Sequence, residues 1–513
     1  MNNGGSMKLA QLLSCLEGAK ATGDSEVEIE GLHYDSRSVR PGGLFFGLHG
    51  VKSDGCQFLE AAVKGGAVAV VADRPCAVPG VTFVLVPDAR RAMALMAACF
   101  YGVPTAGLPT IGITGTNGKT TTSYLVEGIL EKGGIPAAVL GTISYRFGAL
   151  SLPAPNTTPE SVDLQRTLRE LVDLGARGVV MEVSSHSLEQ HRPDGCLFDV
   201  SVFTNLTRDH LDYHLDMESY FASKLRLFTD LATPDNQKPT RRAVVNLDDP
   251  YGARIKAAAS CPVLSYAMAG EADVTVAEVD FSVHGIRCRL RTPRGEISLV
   301  SDLLGRFNLY NILAAVTTGL ALGLPDAAIR EGIEGHKKVP GRVERVENDK
   351  GITVLVDYAH TGDALENVLS TVSELKTARI ITLFGCGGDR DKGKRPVMGE
   401  IAARYSDLAI ITSDNPRTEE PLAIMADVRA GIAPLGLHEY RLEDLAGGFG
   451  VKGFAAVESR RDAVRAAILA ARPGDIVLLA GKGHEDYQIV GTEKLHFDDR
   501  EEAAAALALV KGN

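Results

Sequence analysis

Short apolar runs stopped by small and polar residues recur along this chain, and stretches of helical period lie between them. PTIGI leads into TGTNGKTTT (Thr114 to Thr122), GVVME into VSSHSLEQHR, and VSVFT into NLTRDHLDYH. Farther on, RRAVVN leads into LDDP, ITVLV into DYAHT, RIITLF into GCGGDRDKGKRP, LAIIT into SDNPRTEEP, and DIVLLA into GKGHEDYQ. Continuous apolar runs of this length predict buried strands, and intervening segments such as SVDLQRTLRELVDLG and SRRDAVRAAILAA predict helices. Strand, polar loop and helix in repetition is the pattern of an α/β fold with a mostly parallel sheet. The first hundred residues differ, with short strands around LHYDSRSV, GGLFFGL and AVAVVAD and a weak helical period, which predicts a separate small α/β module ending near Val103-Pro104. A second break is expected at Pro340-Gly341, where the helical pattern stops before a new strand series. The expected domains are therefore 1–105, 106–339 and 340–513.

In such sheets ligands bind just past the carboxyl ends of the strands, and these loops concentrate Asp, His, Arg, Lys and Asn. GITGTNGKTTT is the sharpest case. A strand running through a Gly-rich turn into a helix offers backbone N–H groups and the positive helix end to phosphates, with Lys119 reaching the terminal phosphates and Thr120 free to bind Mg²⁺. The general spacing G-x4-G-K-[ST] fails by one, because Ile113 stands at the first Gly position and Gly112 one residue earlier. Phosphoryl transfer needs further cation ligands, and Glu182 and His210 are placed to supply them. His210 and His214, with Asp209 and Asp212 interleaved, also fit a zinc hydrolase, but no further histidine is close in sequence.

GCGGDRDKGKRP opens like a dinucleotide fingerprint but has Arg390 where the last Gly would fall, so an NAD site is not supported. As a charged loop it fits a solvated surface; its place past a buried strand, beside DNPR and GKGHED, fits a substrate site. Arg417 suits a carboxylate, because guanidinium makes two parallel hydrogen bonds where an ammonium makes one.

Composition narrows the classes. With 513 residues, 45% hydrophobic and 23% charged, the chain is long enough for about three globular domains. A net charge of -11 disfavours nucleic acid or anionic lipid as a whole-surface partner. No apolar run approaches the ~18–20 residues that span a bilayer, and the start MNNGGSMKLAQ does not read as a signal peptide, so no membrane insertion and a cytoplasmic location are expected. Eight cysteines without a C-x-x-C pair fit reduced thiols.

TGTNGKTTT, MEVSSH, TNLTRDHLDYH, DYAHTGDALE, FGCGGDRDKGKRP, SDNPRTEEP and AGKGHEDYQ together, in this order, resemble the Mur ligases, which build the peptide of bacterial cell-wall precursors by ATP-driven amide formation. DNPR is the pattern of their diaminopimelate-adding branch, as distinct from the lysine-adding one. The resemblance implies a small N-terminal α/β domain that binds the UDP-substrate, a central P-loop ATPase-like domain and a C-terminal Rossmann-like domain that binds the amino acid. It implies a role in peptidoglycan synthesis, hence in cell shape and division. The implied reaction adds meso-2,6-diaminopimelate to the D-glutamate side-chain carboxylate of UDP-N-acetylmuramoyl-L-alanyl-D-glutamate through an acyl phosphate, using ATP and Mg²⁺, in a monomer.

By the same resemblance, Gly115, Thr116, Asn117, Gly118, Lys119, Thr120, Thr121, Asn308 and Arg342 bind ATP, and Thr120, Glu182 and His210 hold Mg²⁺. Ser36, Asn156, Thr157, Thr158, Ser184, Gln190 and Arg192 hold the UDP-muramoyl dipeptide, although DSR by its own chemistry is a surface turn. Arg390, Asp414, Asn415, Pro416, Arg417, Gly481 and Glu485 form the diaminopimelate pocket. Lys224 corresponds to a carbamylated lysine; carbamylation needs a neutral amine, so Lys224 is expected to be partly buried near metal or cationic groups that lower its pKa. A folate-glutamylating ligase shares the P-loop, but GCGGDRDKGKRP with DNPR argues against it. A nucleotide-switch protein would lack a second substrate domain, and no N-K-x-D motif is present.

Overall fold

The computed structural model describes residues 5–50, 54–76, 80–231, 238, 240–336, 338–376, 378–445 and 447–510, apart from the side chain of Asp212. It is α/β throughout, with a small N-terminal sheet, a central sheet and a C-terminal sheet. By compactness the chain forms two units: 1–276 with 291–297 and 311–333, and 277–290 with 298–310 and 334–513.

The five-stranded N-terminal sheet runs Lys20–Thr22, Thr82–Leu85, Ala67–Ala72, Gly43–Phe46, Gly31–His33. The helix Ala89–Phe100 turns Ala92, Met93, Met96 and Phe100 into its core. The same helix packs on Ser161–Asp173, whose Val162 joins that core, while Leu164, Leu168 and Leu171 face the central one. One helix thus serves two cores because its apolar positions, spaced three and four apart, cover more than one stripe. Each such buried Leu contributes about 1.5–3 kcal/mol.

In the central sheet, eight strands follow the order Leu150–Pro153, Ser144–Phe147, Ala137–Leu140, Gly178–Glu182, Thr110–Thr114, Val200–Phe203, Arg242–Asn246, Val263–Ala267. Thr110–Thr114 is buried at every residue and parallel to both neighbours. Register pairs Ile113 with Glu182 and Thr114 with Phe203, so Gly115, Val183 and Thr204 leave the sheet at one level. The chain crosses from one side of this strand to the other, which opens a crevice at its carboxyl end.

The seven-stranded sheet of the second unit runs Glu344–Val346, Thr353–Asp357, Ile476–Ala480, Ile380–Cys386, Leu408–Ser413, Gly453–Val457, His438–Tyr440. Its five middle strands are mutually parallel, and register pairs Asp357 with Ala480 and Cys386 with Ser413. The loops after these four residues therefore emerge along one edge. Two segments expected as loops contain short helices. Ser185–Glu189 forms because the Ser184 hydroxyl accepts from Ser187 N–H at 3.1 Å, and Leu211–His214 follows His210 in a left-handed conformation.

Candidate active site

In the first unit, the loop from Gly115 to Gly118 opens the helix Lys119–Lys132. Gly115 has φ +149°, and a Cβ there would lie 1.9 Å from Thr204 Oγ1, so only glycine fits against the neighbouring strand end. Gly118, φ +87°, caps the helix in a left-handed conformation against the Asn311 amide oxygen. Gly112, one position off the general motif, lies within the strand. The loop is braced by the segment after Phe203: Thr116 N–H donates to Asn205 O at 2.9 Å, Asn117 N–H to Asn205 Oδ1 at 3.0 Å, and Thr204 Oγ1 to Asn117 O at 2.7 Å. Thr120 and Thr121 are buried in the first helical turn.

Two lysines converge on this loop. Lys119 Nζ donates to Gly115 O at 2.9 Å and Thr116 O at 2.8 Å, and Lys224 Nζ donates to the same Gly115 O at 2.9 Å. Lys224 is 1% exposed, against an expectation of partial burial. Burial, and secondly the Lys119 charge, hold its amine well below the usual lysine range.

Glu182, also 1% exposed, accepts from Thr120 Oγ1 at 3.1 Å, Thr142 Oγ1 at 2.9 Å and Thr142 N–H at 3.1 Å. Thr120 and Glu182 thus meet, a hydroxyl and a carboxylate of the hard-oxygen kind that suits Mg²⁺. His210 stands at the start of Leu211–His214, its ring 4.9 Å from that of His186 and 6.1 Å from that of Tyr220. His186 also lies 5.4 Å from His214. A third histidine is therefore beside the pair that sequence spacing had left without one, yet among the described residues no three His, Cys, Asp or Glu form a metal-holding group. His214 Nε2 instead hydrogen-bonds Ser185 Oγ at 2.9 Å.

The residues expected at the dipeptide form a chain of contacts leading from Glu182. Thr158 Oγ1 donates to Glu182 O at 2.8 Å and accepts from Ser184 N–H at 3.3 Å. Arg192 donates to Thr158 O at 2.9 Å and to Gln190 Oε1 at 2.8 Å, and pairs with Glu160 at 2.8 Å. Thr157 Oγ1 is 3.1 Å from Thr142 Oγ1, and the exposed Asn156 presents its carbonyl to Tyr145 OH at 2.5 Å. Ser36 begins a 3-10 turn capped by Asp35, which accepts from Arg37 N–H at 3.0 Å, so the turn chemistry of DSR is present in the N-terminal module.

In the second unit, DNPR, GGDR and GKGHE share one sheet edge. Asn415 Nδ2 donates to Glu485 Oε2 at 3.0 Å, and its Oδ1 accepts from Ile489 N–H at 2.9 Å and from Lys482 Nζ at 3.3 Å. Arg417, φ +53°, donates from Nη1 to Gly388 O at 2.7 Å, and Gly481 N–H donates to Asp357 O at 3.0 Å. Arg390 is exposed, with Nη1 on Asp389 O at 3.2 Å. The charged loop 387–395 is not simply solvated: Arg395 is fully buried on Glu419 at 2.8 Å and Asp427 at 2.9 Å, and Thr418 Oγ1 donates to Asp389 Oδ1 at 2.8 Å. Burial pushes the Glu485 carboxyl up, with Asp414 adding to it. Burial would also raise Asp414, but Lys482 and then Arg460 offset it and hold that carboxyl below its usual range.

Of the two asparagines in GRFNLYN, Asn311 reaches the nucleotide loop, accepting from Thr122 Oγ1 at 3.4 Å. Asn308, in the second unit, is buried and donates to Leu304 O at 2.8 Å. Arg342 lies in the second unit over the Tyr358 ring at 5.1 Å, and that ring also contacts His360 and His484 at 4.6 and 4.9 Å. Burial, and then Arg342, push His484 down to about 4, so its ring is neutral at pH 7.

Three family models match the chain: Mur ligase family, catalytic domain, over residues 28–101; Mur ligase middle domain over 113–319; and Mur ligase, glutamate ligase domain, over 341–483. The chain is 65% identical, over 98% of both sequences, to the UDP-N-acetylmuramoyl-L-alanyl-D-glutamate–2,6-diaminopimelate ligase of Geobacter metallireducens. It resembles a solved structure of a ligase of that name with TM-score 0.71 and 32% identity, covering 98% of this chain and 99% of that one. The fold is shared with a MurF ligase from Thermotoga maritima in complex with ADP, at TM-score 0.60 and 16% identity, over 93% of this chain and 96% of that one.

Proposed function

The chain belongs to the Mur ligase family, and from that premise we propose that it uses ATP to join meso-2,6-diaminopimelate to the D-glutamate side chain of UDP-N-acetylmuramoyl-L-alanyl-D-glutamate in peptidoglycan synthesis. What carries the proposal is the 65% identity, over nearly the full length, to a ligase whose name gives these two reactants. The working divisions are 1–105 for the uridine end, 106–339 for ATP and 340–513 for the amino acid. The enzyme acts in the cytoplasm as a monomer, and all eight of its cysteines are free thiols.

A carboxylate is a poor acyl donor at neutral pH. The γ-phosphoryl group of ATP is transferred to the glutamate carboxylate oxygen, giving an acyl phosphate and ADP; the amine then attacks the carbonyl carbon, and phosphate leaves as the amine loses its proton. Gly115 to Thr121 cradle the phosphates on the helix N-terminus, with Lys119 countering the charge that builds up in transfer. Asn308 and Arg342 are assigned to ATP as well. Thr120, Glu182 and His210 would hold Mg²⁺, which neutralises charge on the β- and γ-oxygens when bound. Lys224, desolvated and depressed in pKa, is set to take up carbon dioxide and become an anion at the same loop. Thr157, Thr158, Ser184, Gln190 and Arg192 orient the dipeptide, Asn156 borders it, and Ser36 contacts the uridine nucleotide.

In the amino-acid pocket, Arg417 and Arg390 take a carboxylate, while Asp414 and Glu485 leave negative charge for an ammonium. Asn415, Pro416 and Gly481 shape the wall. Lysine lacks the distal carboxylate of diaminopimelate and would leave a guanidinium unmatched. The test is an omission assay with ATP, the UDP-dipeptide and, in turn, meso-diaminopimelate, lysine, or glutamate with a reduced folate. ADP release and a UDP-tripeptide mass requiring both the dipeptide and diaminopimelate are expected. Equal use of lysine, or activity on folate alone, overturns the proposal.

A further inference from the structure

We propose that Lys482 is a positioning residue of the amino-acid pocket, the buried counter-cation that holds Asp414, Asn415 and Glu485 in one binding-ready arrangement. This rests on the pocket assigned above and adds to it a residue that need not touch the amino acid.

Lys482 is fully buried. Its ammonium lies 3.2 Å from Asp414 Oδ1, 3.3 Å from Asn415 Oδ1 and 3.6 Å from Glu485 Oε2. A buried ammonium costs several kcal/mol of desolvation unless paired and hydrogen-bonded, so a chain that only needed filler here would be better served by an apolar side chain. The contacts instead select one amide orientation. With Asn415 Oδ1 turned to Lys482 and to Ile489 N–H, Nδ2 must face Glu485, where it donates at 3.0 Å. Lys482 thereby fixes the side chain between the two carboxylates as well as the carboxylates themselves.

The charge balance is specific. Asp414 and Glu485 carry two negative charges against one from Lys482; Arg460, the next cation, is committed to Asp499 at 2.6 and 2.8 Å. One net negative charge remains to meet an ammonium of the diamino substrate. The other titratable groups facing the pair are His360, Tyr358 and Tyr487. Without Lys482 two buried carboxylates would face each other, and one would take up a proton, erasing the charge that the substrate reads.

The experiment is steady-state kinetics on the full chain with Lys482→Met and Lys482→Gln. The KM for diaminopimelate is expected to rise about 10- to 100-fold, the loss of a charge-assisted contact. The KM values for ATP and the UDP-dipeptide should stay within about twofold, as for an effect confined to one substrate. The acid limb of kcat/KM for diaminopimelate should move to higher pH. A uniform fall in all constants with no pH shift, or an unchanged KM for diaminopimelate, overturns the role. Should the single variants fail to fold, Lys482→Met/Glu485→Gln decides: recovery of a folded chain, by removing the uncompensated carboxylate, supports a counter-charge, and no recovery contradicts it. Wild-type enzyme that makes no tripeptide would sink the assigned function instead, a separate result.

Discussion

Two buried lysines, one in each unit, solve the same problem in opposite ways. Lys224 is buried beside another cation, gives its hydrogen bond to a carbonyl, and has no ion pair among the described residues. Lys482 is buried between two carboxylates. The first site therefore gathers two amines, Lys119 and Lys224, on one loop carbonyl, whereas around Lys482 two carboxylates outnumber the one cation between them. Each arrangement suits a proposed reactant: the Lys119 cation a polyphosphate, the uncharged Lys224 amine carbon dioxide, and the carboxylates about Lys482 an ammonium of the amino acid. A net charge of -11 over the whole chain says nothing of this, because the signs are sorted by site.

The comparison breaks most completely at Lys119. Lys119→Ala removes the cation that faces the phosphates while leaving the amino-acid pocket intact, and kcat should fall by about 10³-fold, measured as ADP release at saturating substrates. Retention of activity within tenfold would show that the first site does not work by charge. Arg417→Ala probes the second unit. Its Nη1 is already committed to Gly388 O, leaving the remaining guanidinium donors for a carboxylate. The ratio of kcat/KM for diaminopimelate over lysine should collapse by about 10²-fold or more, and an unchanged ratio rejects the assignment.

A smaller effect sharpens the contrast in protonation. The Lys224 amine has a folded pKa below its unfolded value of 10.5, so the unfolded chain binds more protons between those values. Stability of the unliganded protein should then rise with pH through that interval. In buffer stripped of carbon dioxide, Lys224→Met should raise the melting temperature at neutral pH and flatten that rise. A wild-type protein whose stability falls over the same interval, with no change in the variant, contradicts a neutral buried amine. With bicarbonate present, intact mass of the wild type should gain one carbon dioxide that the variant lacks. The smallest effect is expected at Ser36→Ala, a few-fold increase in KM for the UDP-dipeptide alone, the loss of about one neutral hydrogen bond.

The strand–loop–helix repeats and the edges where Lys119, Glu182, Asp414, Arg417 and Glu485 gather were legible because a two-sided buried strand and a ligand loop leave contiguous signatures. Lys482 was not legible, although it lies between the noticed Gly481 and Glu485: a lysine in sequence is by default a surface residue, and its burial depends on parallel register placing Leu479 beside Leu383 and Ala480 beside Asp357. Asn311 went unnoticed beside Asn308 because two asparagines three apart share a helix face, and only the packing of its amide oxygen against Gly118 marks it. His186 escaped notice because it reaches His210 from the far side of the central strand Thr110–Thr114, which separates the two strands they follow, and sequence spacing does not show that approach. Lys224 was found through family resemblance alone; no local pattern marks a lysine that tertiary packing will desolvate.

In the proposed reaction one unit activates a carboxylate with ATP and the other supplies the amine. The direct measurement uses UDP-N-acetylmuramoyl-L-alanyl-D-glutamate labelled with ¹⁸O in the glutamate side-chain carboxylate, turned over with ATP and meso-diaminopimelate, with the released phosphate read by mass. Transfer of one ¹⁸O into phosphate, dependent on both substrates, is the predicted result. Phosphate carrying no label while the tripeptide forms would contradict the acyl phosphate, and with it the proposed roles of the two sites.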